Sequence, residues 1–233
     1  MPVHEKPKKR VAARTAPVAG APVAAVRRAR MTNVERTART RKDLLEAAVD
    51  CLFRHGYGAT TTHLVAEVAG LSRGAMMHHF PTKADLMEAV VRYAWEREVA
   101  ITDEALDKIA PGMPRYRALI DEHWDTVRAA PNTAINEIRI GSRSDPDLAA
   151  KLQPIMVEIA REYGHFVSKI IREAGLEPTE DLRGLTVTWV LGLTMLNFYW
   201  AAEPNPKMAA SLLTTLKAQQ EEMIQRQLAA RKG

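Results

Sequence analysis

The chain of 233 residues reads as all α-helical on three observations. Apolar residues recur at spacings of three and four along most of it. No alternating apolar and polar run of strand type survives a pass from end to end. Glycine, proline and capping residues punctuate the periodic segments. An apolar content of 46% is ordinary for a globular chain and supplies a core for one or two domains.

Residues 1–34 alternate Pro, Ala, Val and basic side chains with neither a helical nor a strand period, and are expected to form a disordered basic tail. The first helix should run from about Glu35 to Arg54, with Leu44, Leu45, Ala48, Leu52 and Phe53 on one stripe and Gly56 as its stop. The second carries Leu64, Val65 and Val68 as apolar contacts and Ala66 where another helix must come close. Gly70 ends it, because glycine enters the left-handed region without a side-chain penalty, and Leu71 plugs the corner. Ser72 caps a short third helix, Arg73 to Phe80, whose Met76 and Phe80 share one face. The opposite face presents Arg73 with Met77 and Gly74 with His78, a surface with a cation and no carboxylate. Pro81 closes this helix, and Thr82 with Asp85 caps the fourth, expected over Lys83 to about Ile109. Lys83 is unusual there, since a cation in a first turn opposes the helix dipole by about 0.3 to 1 kcal/mol unless a phosphate docks beside it.

Beyond Pro111-Gly112 the punctuation predicts helices over Pro114–Ala130, ended by Pro131-Asn132, and over Thr133–Arg143. Asp145-Pro146 opens another that reaches Ala174, kinked at Pro154 and stopped by Gly175. Pro178-Thr179 opens the next, and 185–202 is apolar almost all round. Thr186, Thr188, Thr194 and Asn197 interrupt that run, and no second apolar span exists, so a helix buried on two faces is expected rather than a membrane span. The last helix starts near Asn205-Pro206, with Met208, Leu212, Leu216, Met223 and Ile224 on one side. Paired with its predecessor it would complete a dimer contact, with Leu193 and Leu196 at the interface.

The net charge of +5 is unevenly spread: residues 1–42 carry twelve basic groups against Glu5 and Glu35, a net of +10, and the remainder carries −5. Positive charge at one end and an acidic body fit a nucleic-acid reader attached to a regulatory part. The single Cys51 allows no intramolecular disulfide and suits a reducing cytoplasm, with core packing as its expected role. There is no Gly-rich phosphate loop, no paired-cysteine spacing and no Gly-x-Ser-x-Gly nucleophile, so no catalytic residues, cofactor or enzyme activity are expected. His78-His79 is not read as a metal site, because adjacent helical residues point about 100° apart.

About sixty residues, from roughly Ala38 to Arg97, carry a resemblance. The matching positions are Leu44-Leu45, Ala47-Ala48, Phe53, His55-Gly56-Tyr57, Thr60-Thr61-Thr62, Val65-Ala66, Ala69 to Ser72, Gly74-Ala75, His78-His79-Phe80, Lys83 and Leu86. They resemble the DNA-binding domain of the TetR (tetracycline repressor-like) family. One departure is Met77, where the family usually carries a tyrosine that touches the DNA backbone.

The resemblance implies an all-α protein with a three-helix helix-turn-helix DNA-binding domain over 35–97, joined to a helical ligand-binding and dimerisation domain over 98–233. It implies a cytoplasmic homodimer that binds double-stranded, palindromic operator DNA and regulates transcription, most simply as a repressor released by a small apolar effector. Arg73 would read a base, Thr61, Thr62, His78 and Lys83 would hold phosphates, Met77 could meet a thymine methyl, and Gly74 lies on the same face. His123, Trp124, Met156, Phe166, Trp189, Asn197 and Tyr199 are candidates to line the effector pocket, with core packing as the alternative for each. Two other classes stand beside this one: a helical small-molecule-binding or scaffold protein whose helix-turn-helix does not read DNA, and an enzyme acting on a hydrophobic substrate.

Overall fold

The computed structural model describes residues 32–200 and 205–231, the side chains of Tyr199 and Trp200 excepted. The expected basic tail lies outside the described residues except at its end, where the helix begins earlier than predicted. Thr32 accepts the N–H of Glu35, and the Glu35 carboxylate accepts the N–H of Thr32 at 2.7 Å. This reciprocal cap starts α1 at Asn33 and carries it to Ala59, with Gly56 left-handed at φ +73° inside the span.

Nine α-helices are formed among the described residues, and no strand. After α1 come α2 (Thr62–Val68), α3 (Arg73–His79), α4 (Lys83–Asp107) and α5 (Met113–Thr126). Then follow α6 (Ala130–Gly141), a 3-10 turn over Ser142–Ser144, α7 (Pro146–Glu173), α8 (Glu180–Trp200) and α9 (Pro206–Ala230).

Two expectations about punctuation change. The fifth helix ends at Thr126, not Ala130, and Pro131 lies in the first turn of α6 rather than acting as a stop. Proline is suited there because its missing N–H would have no partner anyway. Pro154, where a kink is expected, sits on the exposed side of α7, which runs past it to Glu173 much as predicted.

A first core joins Leu44, Ala48 and Leu52 of α1, Val65 of α2, Met76 and Phe80 around α3, and Leu86, Val90 and Val91 of α4. Ala134 and Ile138 of α6 and Leu148, Leu152 and Ile155 of α7 belong to the same cluster. The packing therefore continues across residue 97, where the sequence suggests a domain boundary. Two apolar expectations fail here: Phe53 is 49% exposed and Val68 48%, each on the edge of its helix stripe that faces away from this core.

A second cluster gathers Leu106, Tyr116, Leu119, Val167, Ile171, Leu182 and Ile224 from α4, α5, α7, α8 and α9. A third joins Ile120, Trp189 and Leu193, with Trp124, Leu213 and Leu216 against it. Leu193 is thus part of its own subunit's interior at 1% exposure and is not an interface residue. Helix α8 buries Leu182, Thr186, Trp189, Val190 and Leu193, while Leu185, Leu191 and Met195 stand exposed on its other side. Among the described residues no helix is long and apolar enough to cross a membrane.

Candidate nucleic-acid interface

The turn between α2 and α3 is built from backbone hydrogen bonds that only a left-handed residue permits. Gly70, at φ +66°, donates to the Glu67 carbonyl at 3.0 Å, and Leu71 donates to the Ala66 carbonyl at 2.9 Å. The pair satisfies the last carbonyls of α2 and reverses the chain at once. Thr61 Oγ1 accepts the N–H of Leu64 at 3.1 Å to start α2, and Ser72 Oγ accepts that of Ala75 at 3.1 Å to start α3. Each cap is worth about 1 kcal/mol.

Met76 and Phe80 anchor α3 in the core at 1% and 2% exposure, which fixes what the other face presents. Arg73, Gly74, Met77 and His78 are all exposed there, and Thr61 is exposed at the start of α2 with Thr62 half-buried beside it. At Gly74 an added Cβ would come no closer than 3.8 Å to Ser72 Oγ, so nothing inside the chain demands glycine. His79 is half-buried, and its pKa is lowered by burial first, then by His78 and Arg41. Among the described residues no group of three or more His, Cys, Asp or Glu side chains is placed to hold a metal ion.

Sequence reasoning missed Arg41 as an individual residue. Its guanidinium lies 4.6 Å from the centre of the Phe80 ring, at the C-terminal end of α3. Arg36, Arg39 and Lys42 are exposed on the same N-terminal turns of α1, ahead of Leu44, the first buried residue of the helix. The charge imbalance of residues 1–42 was the available signal.

Lys83, expected to hold a phosphate, has a partner within the chain. Its Nζ donates to the Tyr57 carbonyl at 2.8 Å and stands 3.9 Å from the centre of the Tyr57 ring. The cation in the first turn of α4 is therefore explained by an internal partner, and burial lowers its pKa. Tyr57 is the hub of that corner. Its N–H donates to Glu137 Oε2 at 2.7 Å, and its hydroxyl donates to Asp145 Oδ2 at 2.9 Å. Its ring lies where a side chain at Gly141 would have to go, 2.2 Å from an added Cβ. Burial, then the Asp145 carboxylate, push the phenol up to about 12. The end of α1 and the start of α4 are thereby tied to α6 and to the cap of α7.

Of the expected pocket residues, His123, Trp124, Trp189 and Asn197 lie along the contact of α5 with α8, and Met156 and Phe166 lie elsewhere. Met156 packs against the first core, Phe166 against the second, and Trp124 and Trp189 belong to the third. His123 Nε2 lies 3.1 Å from the Val190 carbonyl and 3.1 Å from Thr194 Oγ1, and burial lowers its pKa to about 4, so the ring is neutral and satisfied. Asn197 donates to the Val127 carbonyl at 3.4 Å, and the Tyr199 side chain lies outside the described residues. Aromatic and polar groups on α5 and α8 thus serve helix packing. Open clefts lie elsewhere. One, of about 320 Å³, runs between α4 and α7 beside Arg92, Trp95 and Glu162, and another lies between α8 and α9.

The sequence profile described as "Bacterial regulatory proteins, tetR family" matches residues 44–90, the stretch that forms most of α1, the turn and the start of α4. The HTH-type transcriptional regulator CymR of Pseudomonas putida is 33% identical over 177 residues, covering 73% of this chain and 85% of CymR. An uncharacterized HTH-type transcriptional regulator of Mycobacterium tuberculosis is 26% identical over 125 residues; the chain spans 64% of that relative's length. In fold, a transcriptional regulator from Rhodococcus sp. Rha1 superposes with a TM-score of 0.61 at 22% identity, over 79% of this chain and 96% of that one. On the match to CymR over most of its length and the profile match over the reader, the chain belongs to the TetR family of bacterial regulatory proteins.

Proposed function

We propose that the chain is a sequence-specific DNA-binding transcriptional regulator, not an enzyme, that works in the cytoplasm as a homodimer on a palindromic operator. The observation that carries this reading is the outward face of α3. Arg73, Gly74, Met77 and His78 are exposed together on a helix whose other side is pinned by Met76 and Phe80. Arg73 has no salt bridge or side-chain hydrogen bond among the described residues, which leaves its guanidinium free for the O6 and N7 of a guanine. Gly74 gives the groove wall room to approach, and Met77 offers an apolar contact to a thymine methyl. Thr61, Thr62, His78 and the basic turns of α1 carrying Arg36, Arg39 and Arg41 would meet phosphates. Lys83 would act mainly by holding Tyr57.

Leu191 and Met195, exposed four residues apart on α8, support dimerisation through α8 and α9, giving two readers related by a two-fold axis. A small-molecule effector bound in the helical body would move α4, which starts directly after the reader, and weaken operator binding through a coupling of about 1 to 3 kcal/mol. The test is a gel shift with DNA flanking the protein's own gene. Sequence-specific, salt-sensitive retardation that is weakened by Arg73→Ala supports the reading, and binding indifferent to sequence refutes it.

A further inference from the structure

The carboxylates that cap α4 and α7 each divide their two oxygens between a helix start and a neighbouring element. Asp145 Oδ1 accepts the Leu148 N–H at 3.0 Å to cap α7, and its Oδ2 accepts the Tyr57 hydroxyl of α1 at 2.9 Å. Asp85 does the same for α4. Its Oδ2 accepts the N–H of Thr82 at 3.0 Å and the Thr82 hydroxyl at 2.8 Å, while its Oδ1 lies 2.9 Å from Lys151 Nζ on α7. Lys151, then Thr82, hold the Asp85 carboxyl below its usual range. Glu88 stands 3.9 Å from the same ammonium.

From these starts α4 and α7 run side by side in the same direction. Arg92 meets Glu158 at 2.9 Å, each seven residues on from Asp85 and Lys151, and Trp95 Nε1 donates to Glu162 at 2.6 Å. Glu98 then accepts Asn132 Nδ2 of α6 at 2.6 Å, and burial pushes that carboxyl up to about 7. Those later ties fix α4 within the body, whereas the ties at Tyr57 and Asp85 lie on the frame of the reader. Thr82 follows the last residue of α3, His79, by three, and Tyr57 holds Lys83. A partly exposed ion pair adds little to stability, and the Lys151 and Asp85 side chains keep 39% and 29% of their surface open. Their role is geometric. Contacts among Leu86, Leu148 and Leu152 press the helix starts together without direction, but two hydrogen-bonded points set an angle.

We propose that Lys151, with Asp145 as its second point, is a positioning residue for operator recognition: its ion pair with Asp85 holds α3 at the angle from which both readers of a dimer dock at once. This rests on the regulator reading above and adds to it the residues that set the pose of each reader. A dimer outbinds a single reader because the second one arrives at high effective concentration, and that concentration falls when its pose is loose. Docking one reader on an isolated half-site makes no such demand. Loss of the Lys151 tie therefore separates the two affinities, whereas a general loss of structure lowers them together.

Three substitutions in the full chain test this. Lys151→Met removes the ammonium and leaves the Thr82-Asp85 cap in place, Tyr57→Phe removes the hydroxyl at the second point, and Lys151→Arg restores a cation. Each protein is titrated by fluorescence anisotropy against the operator fragment found by gel shift, its isolated half-site, and the operator with one base pair added at its centre. Lys151→Met should weaken operator binding by about tenfold and leave half-site binding unchanged. It should also shrink the penalty for the added base pair, since a looser reader tolerates the wrong separation. Tyr57→Phe in the same chain should deepen the operator loss, and Lys151→Arg should recover most of it. Equal losses on operator and half-site would make Lys151 a structural residue, and unchanged operator affinity in the double variant would remove it from recognition; either overturns the proposal. The wild type separates the two readings. Sequence-specific binding that the substitutions leave untouched sinks the positioning role alone, whereas a wild type indifferent to sequence sinks the regulator reading and the positioning role with it.

Discussion

The Tyr57 N–H and the Glu137 Oε2 that accepts it at 2.7 Å lie 80 residues apart in sequence, yet they close the corner between α1 and α6. A Cβ added at Gly56 would stand 3.0 Å from that same oxygen, and at Gly141 one would stand 2.2 Å from the Tyr57 ring. Gly141→Ala should therefore drive the ring from its place against Lys83 and Asp145 and cost about 1 to 3 kcal/mol by urea denaturation. In a Tyr57→Ala background the cost of the same substitution should largely vanish. If the two effects simply add, the ring is not what the glycine accommodates.

At Gly74 the expectation is reversed. Space is open around it, so Gly74→Leu should leave the melting temperature unchanged or raised, since leucine favours a helix over glycine by about 0.5 to 1 kcal/mol. Operator affinity should nonetheless fall by at least about tenfold, because the added side chain meets the groove rather than the protein. Retained affinity would place DNA on another face of α3.

Arg73→Ala should cost about 1 to 3 kcal/mol at the operator and relax preference at one base pair per half-site, with nonspecific binding little altered. Binding to a set of single-base operator variants measures both quantities. Equal losses on specific and nonspecific DNA would make Arg73 a phosphate contact.

Glu98 sets a pH dependence of folding whose sign follows from its raised pKa. The group moves from an ordinary 4.5 to about 7, so its favourable contribution is fully present below pH 4.5 and is lost as pH rises through 7. The size is on the order of 3 kcal/mol. Between pH 6 and 8 Glu98→Gln should flatten this part of the stability profile and be the more stable protein at the upper end. A wild-type profile that rises with pH over that window would contradict the assignment.

On α8, Leu191→Glu or Met195→Glu should yield a folded monomer by sedimentation, since both positions are about half exposed in the single chain. Leu193→Glu should unfold the protein instead, because it buries a charge beside Ile120 and Trp189. An intact dimer in both outer variants would move the interface off this face.

The reader was legible because its signals are local. Ser72, Gly70 and the Thr82-Asp85 pair act within three or four residues of themselves, and their hydrogen bonds form as the spacing implies. Tyr57 was visible only as part of a matching turn, since Glu137 and Asp145 lie far off in sequence and no spacing announces them. The grouping of the pocket candidates was not legible for a related reason. Helical periodicity says that Trp124, Phe166 and Trp189 point inward, but not against which neighbour: Trp124 and Trp189 meet in one cluster and Phe166 falls in another. Pro131 shows an ambiguity of a different kind, because proline breaks a helix from within and begins one equally well. Glu98 was invisible, being one glutamate on a charged helix until burial singles it out.

The shared core of α1, α4, α6 and α7 bears on how readers could be exchanged between regulators of this family. A chimaera joined at residue 97 would inherit Leu52, Val90 and Val91 without the Ala134, Ile138 and Leu152 that cover them. It would also leave Tyr57 without the carboxylates of Glu137 and Asp145. Transplanting the DNA specificity of this chain therefore means moving the exposed side chains of α3 onto a foreign scaffold, or moving residues through the first turns of α7 as one piece. The unit of inheritance is larger than the unit of recognition.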